Sequence, residues 1–308
     1  MLNIYEAESL NKRKSVFILA TFFVFVFLVV YVISRALSYS SGYETGEVGM
    51  IGLAFIISGL SSLGGYYFSD KIVLTISGAR PADRKKDFNF YTVSENLALA
   101  SGLSRPKLYV IDDSAPNAFA TGRDPKHAAI CVTSGLLAKL NRSELEGVIA
   151  HELSHVKNYD TRLMSIVSVL VGMVALLADW FLRLGFRGRR KDKEEDGMGV
   201  VIFILGAIFA VLSPIIAQLI QLAISRRREF TADTGSVSIT RQPQGLISAL
   251  EKISQDPEPL EVANKATAHL YIINPFKSKD HKTVDWFSNL FNTHPPIHER
   301  IRSLKKMS

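Results

Sequence analysis

One cysteine, Cys131, stands among 308 residues. No intrachain disulfide can form, and no paired-cysteine metal site is available. Cys131 lies in an apolar, strand-like run and reads as a small buried hydrophobe. Internal repeats and low-complexity segments are also missing. Acidic residues fall short of basic ones, 29 against 36, giving a net charge of +7. The basic residues are not interleaved with aromatics along one face, and no nucleic-acid motif occurs, so nucleic acid is not an expected partner. They flank apolar stretches instead, which suits a membrane surface. No small-residue cleavage site follows the first apolar stretch, where the chain reads Ser34-Arg35-Ala36-Leu37. That stretch reads as an uncleaved anchor rather than a signal peptide.

Four long, nearly uncharged stretches dominate what is present, at 16–34, 48–68, 163–182 and 200–224. Each is long enough to cross a bilayer as a helix. The second is full of small residues, among them Gly49, Gly52, Gly59, Gly64 and Gly65, which let helix backbones approach closely in lipid. Lys12, Arg13 and Lys14 precede the first stretch, and Arg80, Arg84, Lys85 and Lys86 follow the second. The positive-inside rule then puts both flanks in the cytoplasm. The segment 183–193, between the third and fourth stretches, is strongly basic. It opposes that rule if both cross, so a membrane-embedded hairpin is the rival arrangement.

Residues 87–162 read as soluble α+β structure, with a helix over 93–100 and β runs at 106–111 and 128–133. The expected fold is mainly α with a small antiparallel β-sheet, in a polytopic membrane protein that carries a zincin-like catalytic domain. Residues 1–70 would be an N-terminal membrane hairpin, and 163–224 a second membrane or membrane-embedded hairpin. Residues 71–162 and 225–308 would be the two parts of the catalytic domain.

The richest chemistry is in His151-Glu152-Leu153-Ser154-His155. On a helix, histidines four apart share one face about a turn apart and can chelate one Zn²⁺. Glu152 stands beside them, placed to hold a proton from an activated water. Asn141 or Ser143 can cap this helix, with Glu144 and Glu146 in its first turn. The plainer reading is a buried amphipathic helix with two incidental histidines. A catalytic zinc needs a third protein ligand, and Glu229 is the best candidate. Asp233, one turn on, could orient a ligating histidine. Alone, residues 226–233 would be only a juxtamembrane charge cluster.

H-E-L-S-H, then R-R-R-E-F-T-A-D, then H-P-P-I-H-E-R-I, with paired apolar spans around them, resembles the HtpX-type membrane zinc metalloproteases. These are relatives of the CAAX prenyl proteases. The resemblance implies a gluzincin-type site holding one Zn²⁺ per chain on His151, His155 and Glu229, with Glu152 as base. It also implies that Asn117, Ala118 and Phe119 belong to an edge strand along the substrate cleft. His294 and Arg300 match family positions that support the reaction, His294 at the oxyanion and Arg300 beside substrate. The implied function is proteolysis of unfolded or misfolded membrane proteins at the inner cell membrane, with the catalytic domain facing the cytoplasm. Polypeptide substrates, the lipid bilayer and membrane quality-control components are the implied partners. A narrow CAAX-type processing protease shares the chemistry. A non-enzymatic protein with structural zinc is the third reading, which a fourth ligand in place of Glu152 would suit better.

Overall fold

A computed structural model describes residues 4–41, 47–173, 226–263, 267–273, 275 and 295–307. Helices α1 (Ile4–Ser41) and α2 (Glu47–Tyr67) are long and apolar enough to cross a bilayer, over Ser9–Val32 and Gly49–Tyr67. They pack through Phe23 and Phe55, whose rings meet edge-on at 5.2 Å. Only two of the second stretch's glycines make a close approach. A Cβ at Gly59 would meet Phe23 at 4.0 Å, and one at Gly65 would meet Val169 at 3.4 Å, whereas Gly49, Gly52 and Gly64 face open space. The buried Ser58 hydroxyl donates to Ala54 O at 2.7 Å, so its polarity is satisfied within the helix.

Residues 160–173 form helix α7, whose Leu163, Ile166, Val167 and Leu170 pack against Ile18, Phe22 and Val26 of α1. The rest of the third apolar stretch, the basic segment and the fourth stretch lie outside the described residues. Among the described residues there are two candidate spans, where the sequence suggests four.

Helix α3 (Ser69–Ile76) leads to strand β1 (Arg80–Pro81), helix α4 (Phe88–Ser101) and strand β2 (Lys107–Ile111). Then come β3 (Ala118–Thr121), β4 (Ala129–Thr133) and α5 (Ser134–Lys139). The sheet order is β1-β2-β4-β3. The expectation of an antiparallel sheet is wrong: β2 and β4 run parallel, Lys107 opposite Ala129 and Ile111 opposite Thr133. The cause is two reversals: one between Ile111 and Ala118, and one at Gly122, whose φ of 136° only glycine adopts readily, and where a Cβ would strike the His127 carbonyl. The second reversal folds β3 back on β4, Ala118 opposite Val132, and seats β4 between β3 and β2. The fold is mostly helical with a small mixed sheet. β1 pairs with β2 through Arg80 opposite Val110, and the Arg80 guanidinium grips Asp112 with two bonds of 2.9 Å. In sequence Arg80 looked like a membrane-flanking charge.

Helices α6 (Arg142–Lys157), α8 (Arg226–Thr240), α9 (Gln244–Gln255) and α10 (Ile297–Lys305) complete the described elements. One core joins them to the sheet: Phe90, Val110, Ile130, Ile149, Leu250 and Leu304 belong to a single apolar cluster. Residues 268–273, an apolar and strand-like run in the sequence, form a 3₁₀ turn, Ala268–Leu270, followed by bends rather than a strand.

Candidate metal centre

The helix carrying the histidines starts on a capping box. Asn141 Oδ1 accepts from Glu144 N at 2.9 Å, and Glu144 Oε2 accepts from Asn141 N at 2.8 Å. Two of the orphan amides at the start of α6 are thereby satisfied, and the start of the helix is fixed. Helix α8 crosses α6 where Gly235 meets Ser154, and a Cβ at Gly235 would strike that side chain. Close approach there brings Glu229 and Asp233, one turn apart on α8, against His151 and His155.

His151 Nε2 and His155 Nε2 are 3.2 Å apart. Glu229 completes a triangle, with Oε2 3.7 Å from His151 Nε2 and Oε1 3.5 Å from His155 Nε2. A tetrahedral ion with ligand bonds of about 2.0–2.1 Å needs its donors about 3.3–3.4 Å apart. The triangle fits that demand, and these three side chains form the one group of metal-ligating residues among the described residues. Their exposure is 1% for His151, 5% for His155 and 2% for Glu229, with Glu152 at 2%.

Each histidine has a carboxylate behind it. His151 Nδ1 lies 3.0 Å from Asp233 Oδ1, and His155 Nδ1 lies 3.0 Å from Asp160 Oδ2. Such contacts fix the imidazole so that Nδ1 donates and Nε2 faces the metal. Sequence reasoning reached Asp233 but missed Asp160. A carboxylate a little over one turn past a ligating histidine was the signal that could have found it.

Arg300, on α10, is fully buried. Its Nε donates to Asp233 Oδ2 at 3.0 Å and its Nη2 to Asp233 Oδ1 at 2.7 Å. Its Nη1 is 3.3 Å from Glu229 Oε2 and donates to the Ile272 carbonyl at 3.2 Å. One guanidinium thus braces both carboxylates of α8.

Burial, opposed by weaker partners, pushes the His151 pKa down to about 4. Burial would lower His155 too, but the hydrogen bond to Asp160 and the charge of Glu229 outweigh it and raise His155 to about 9. Burial raises the Glu152 carboxyl to about 7, and the Ala120 N–H donates to it. For Asp233, the Arg300 charge and two hydrogen bonds outweigh burial and hold the carboxyl below its usual range.

Asn117, Ala118 and Phe119 are 4%, 1% and 0% exposed. The outer edge of β3 is partly occupied at this end. Ala118 O accepts from Ile272 N at 2.9 Å, and Asn117 Nδ2 donates to Ile273 O at 3.1 Å. Phe119 meets the Tyr271 ring edge-on at 5.1 Å. His294 lies outside the described residues.

Residues 85–308 match the profile of Peptidase family M48. A Protease HtpX homolog of Dictyoglomus turgidum is 45% identical over 304 residues, covering 98% of this chain and 94% of the relative. Another, of Caldanaerobacter subterraneus subsp. tengcongensis, is 43% identical over 308 residues, covering 99% and 98%. Among solved structures, the crystal structure of S. mikatae Ste24p aligns at a TM-score of 0.47 and 20% identity, over 89% of this chain and 62% of that one. The profile match takes in α6, α8 and α10, the helices that supply the ligand triangle and its arginine, and the chain belongs to peptidase family M48.

Proposed function

We propose that this chain is a membrane-anchored zinc endopeptidase that cuts unfolded or misfolded polypeptides, membrane proteins included. The donor triangle of 3.2, 3.5 and 3.7 Å, with Glu152 beside it, is the observation that carries this reading. His151, His155 and Glu229 are the proposed ligands of one Zn²⁺. Zinc there supplies Lewis acidity, lowering the pKa of water towards neutrality and polarising a carbonyl. Glu152 takes the proton of the attacking water and hands it to the leaving amine. Without metal, burial raises its carboxyl to about 7, which suits a group that takes and then gives a proton, and the Ala120 N–H donates to it.

Asp233 orients His151, and Arg300 positions Asp233 and Glu229. The Arg300 contacts favour this bracing role over the substrate contact that the family resemblance implies. His294 is proposed to donate to the developing oxyanion. Substrate is proposed to pair with β3 near Asn117, Ala118 and Phe119, displacing the 271–273 segment from Ala118 or pairing beyond it.

Residues 1–70 anchor the enzyme, 71–162 and 225–308 build the catalytic unit, and 163–224 return to the membrane. This makes the chain multi-pass in an inner cell membrane, with the site facing the cytoplasm. Three contacts lie near the ends of the apolar helices: Lys12 over Tyr159 at 4.4 Å, Arg162 over Tyr66 at 5.1 Å, and Arg123 over Tyr67 at 5.4 Å. Basic residues and tyrosines at helix ends suit a membrane interface. Membrane quality-control components are the proposed partners. The narrow CAAX-type reading is not favoured, since relatives named Protease HtpX homolog match nearly the whole chain.

Casein cleavage by detergent-purified protein tests the proposal. Activity is expected with zinc, abolished by chelator, and at least about 10³-fold lower in Glu152→Gln with zinc still bound. Cleavage that survives both treatments would sink it.

A further inference from the structure

We propose that Asn11, on the first membrane helix, is a positioning residue of the metal centre. The proposal rests on the metal-centre reading above and extends it into the membrane helix. Asn11 is 2% exposed and sits next to the basic run that opens the apolar part of α1. Its side-chain amide has two N–H groups, and both are used on one turn. One donates to Asp160 Oδ1 at 2.7 Å and the other to the Asn158 carbonyl at 2.9 Å. The other oxygen of Asp160 holds His155 Nδ1 at 3.0 Å. A continuous path therefore runs from α1 to a metal-facing imidazole, across 149 positions of sequence between Asn11 and Asp160.

The turn itself needs holding. Between Asn158 and Asp160, Tyr159 has φ of 58°, a left-handed conformation costly for a bulky residue. Its ring carries the Lys12 ammonium at 4.4 Å. Asn11 and Lys12 thus both hold the strained turn against α1. Arg228 Nε stands 3.5 Å from the same Asp160 oxygen that Asn11 bonds, linking the turn to α8, the helix of Glu229. Asp160 is the point where α1, the end of α6 and the start of α8 meet. The Asn11 amide is a shorter contact to Asp160 Oδ1 than Arg228 Nε, 2.7 against 3.5 Å, so its loss loosens the carboxylate that orients His155.

The test uses full-length protein in detergent, with Zn²⁺ affinity read by chelator competition and Co²⁺ absorption as a report on ligand geometry. Asn11→Leu should weaken affinity about 10-fold and alter the Co²⁺ bands. That is the low end for partners behind a metal ligand, because Asn11 acts through Asp160. Asn11→Gln, which keeps the donors, should recover part of the loss, and Asn11→Ala serves if the leucine variant does not fold. Asp160→Ala should weaken affinity more. If Asn11→Leu or Asn11→Ala binds like wild type while Asp160→Ala is weakened, the Asn11 role is overturned and the metal centre stands. A lower melting temperature of the metal-free protein with unchanged affinity in the folded fraction also overturns it, because that is a purely structural effect. If wild type binds no metal, both readings fall together.

Discussion

Two imidazole nitrogens 3.2 Å apart cannot both be bare, because their lone pairs would face each other. With both Nδ1 atoms donating to carboxylates, the metal-free pair must share an extra proton at Nε2. The surroundings favour His155 for it: against burial, the Asp160 hydrogen bond and the Glu229 charge hold the His155 pKa up, whereas burial pushes that of His151 down. A divalent ion must displace that proton, so binding and protonation compete. Zinc titrated at pH 7 in two buffers of different ionisation enthalpy should release about one proton per ion. Apparent affinity should climb about tenfold per pH unit between pH 6 and 8, since His155 is protonated across that window. A flat profile would contradict the assignment. Much of this centre was legible as spacing. His151 with His155, and Glu229 with Asp233, stood out because helical periodicity turns intervals of four into shared faces, and Glu152 by its place next to the first histidine. Spacing did not pick out Arg300, which only the family resemblance reached and in another role, nor Asn11, for a physical reason. A basic residue in a basic terminal helix looks solvated, and an amide at the foot of an apolar helix looks incidental, until tertiary contacts bury them.

At the scale of elements, direction was hidden where identity was not. The apolar runs of β2 and β4 marked strands, but hydrophobic pattern carries no polarity. The parallel pairing follows from two reversals, one before β3 and one at Gly122, which a composition reading sees only as turns. Two residues of β1 could not be seen at all. Helix contacts were similarly silent. Gly235 on α8 and Gly147 on α6 are sites where a Cβ would run into Ser154 and the backbone at Leu246. Gly235→Ala should push α8 off α6 and destabilise the fold by about 1–3 kcal/mol, the usual cost of overpacking. It should also weaken zinc binding, because Glu229 and Asp233 ride on that helix. Pairing it with Ser154→Gly should restore most of both losses in thermal melts and metal titrations. A Gly235→Ala protein with wild-type stability and affinity would show that the two helices are not seated as described.

For the whole molecule, the buried charges would tie stability to a metal bound at the candidate centre. Glu229, Asp233 and Asp160 are all within 2% exposure, and Arg300 is the counter-charge that braces two of them. Binding to the folded state alone stabilises it by mass action, about 2.7 kcal/mol at free zinc 100-fold above Kd. The melting temperature should therefore rise steadily with free zinc and fall on chelation, and Glu152→Gln should keep that dependence while losing activity. A melting temperature indifferent to zinc would separate the fold from the metal. The centre also draws on parts of the chain made at different times. His151 and Arg300, 149 positions apart, meet at 3.4 Å, with the third and fourth apolar stretches between them. Chains are synthesised and inserted from the amino end. The histidines thus emerge into the cell well before the helices that complete their centre, and the enzyme is born latent. Its own order of synthesis delays proteolysis until the later helices have docked.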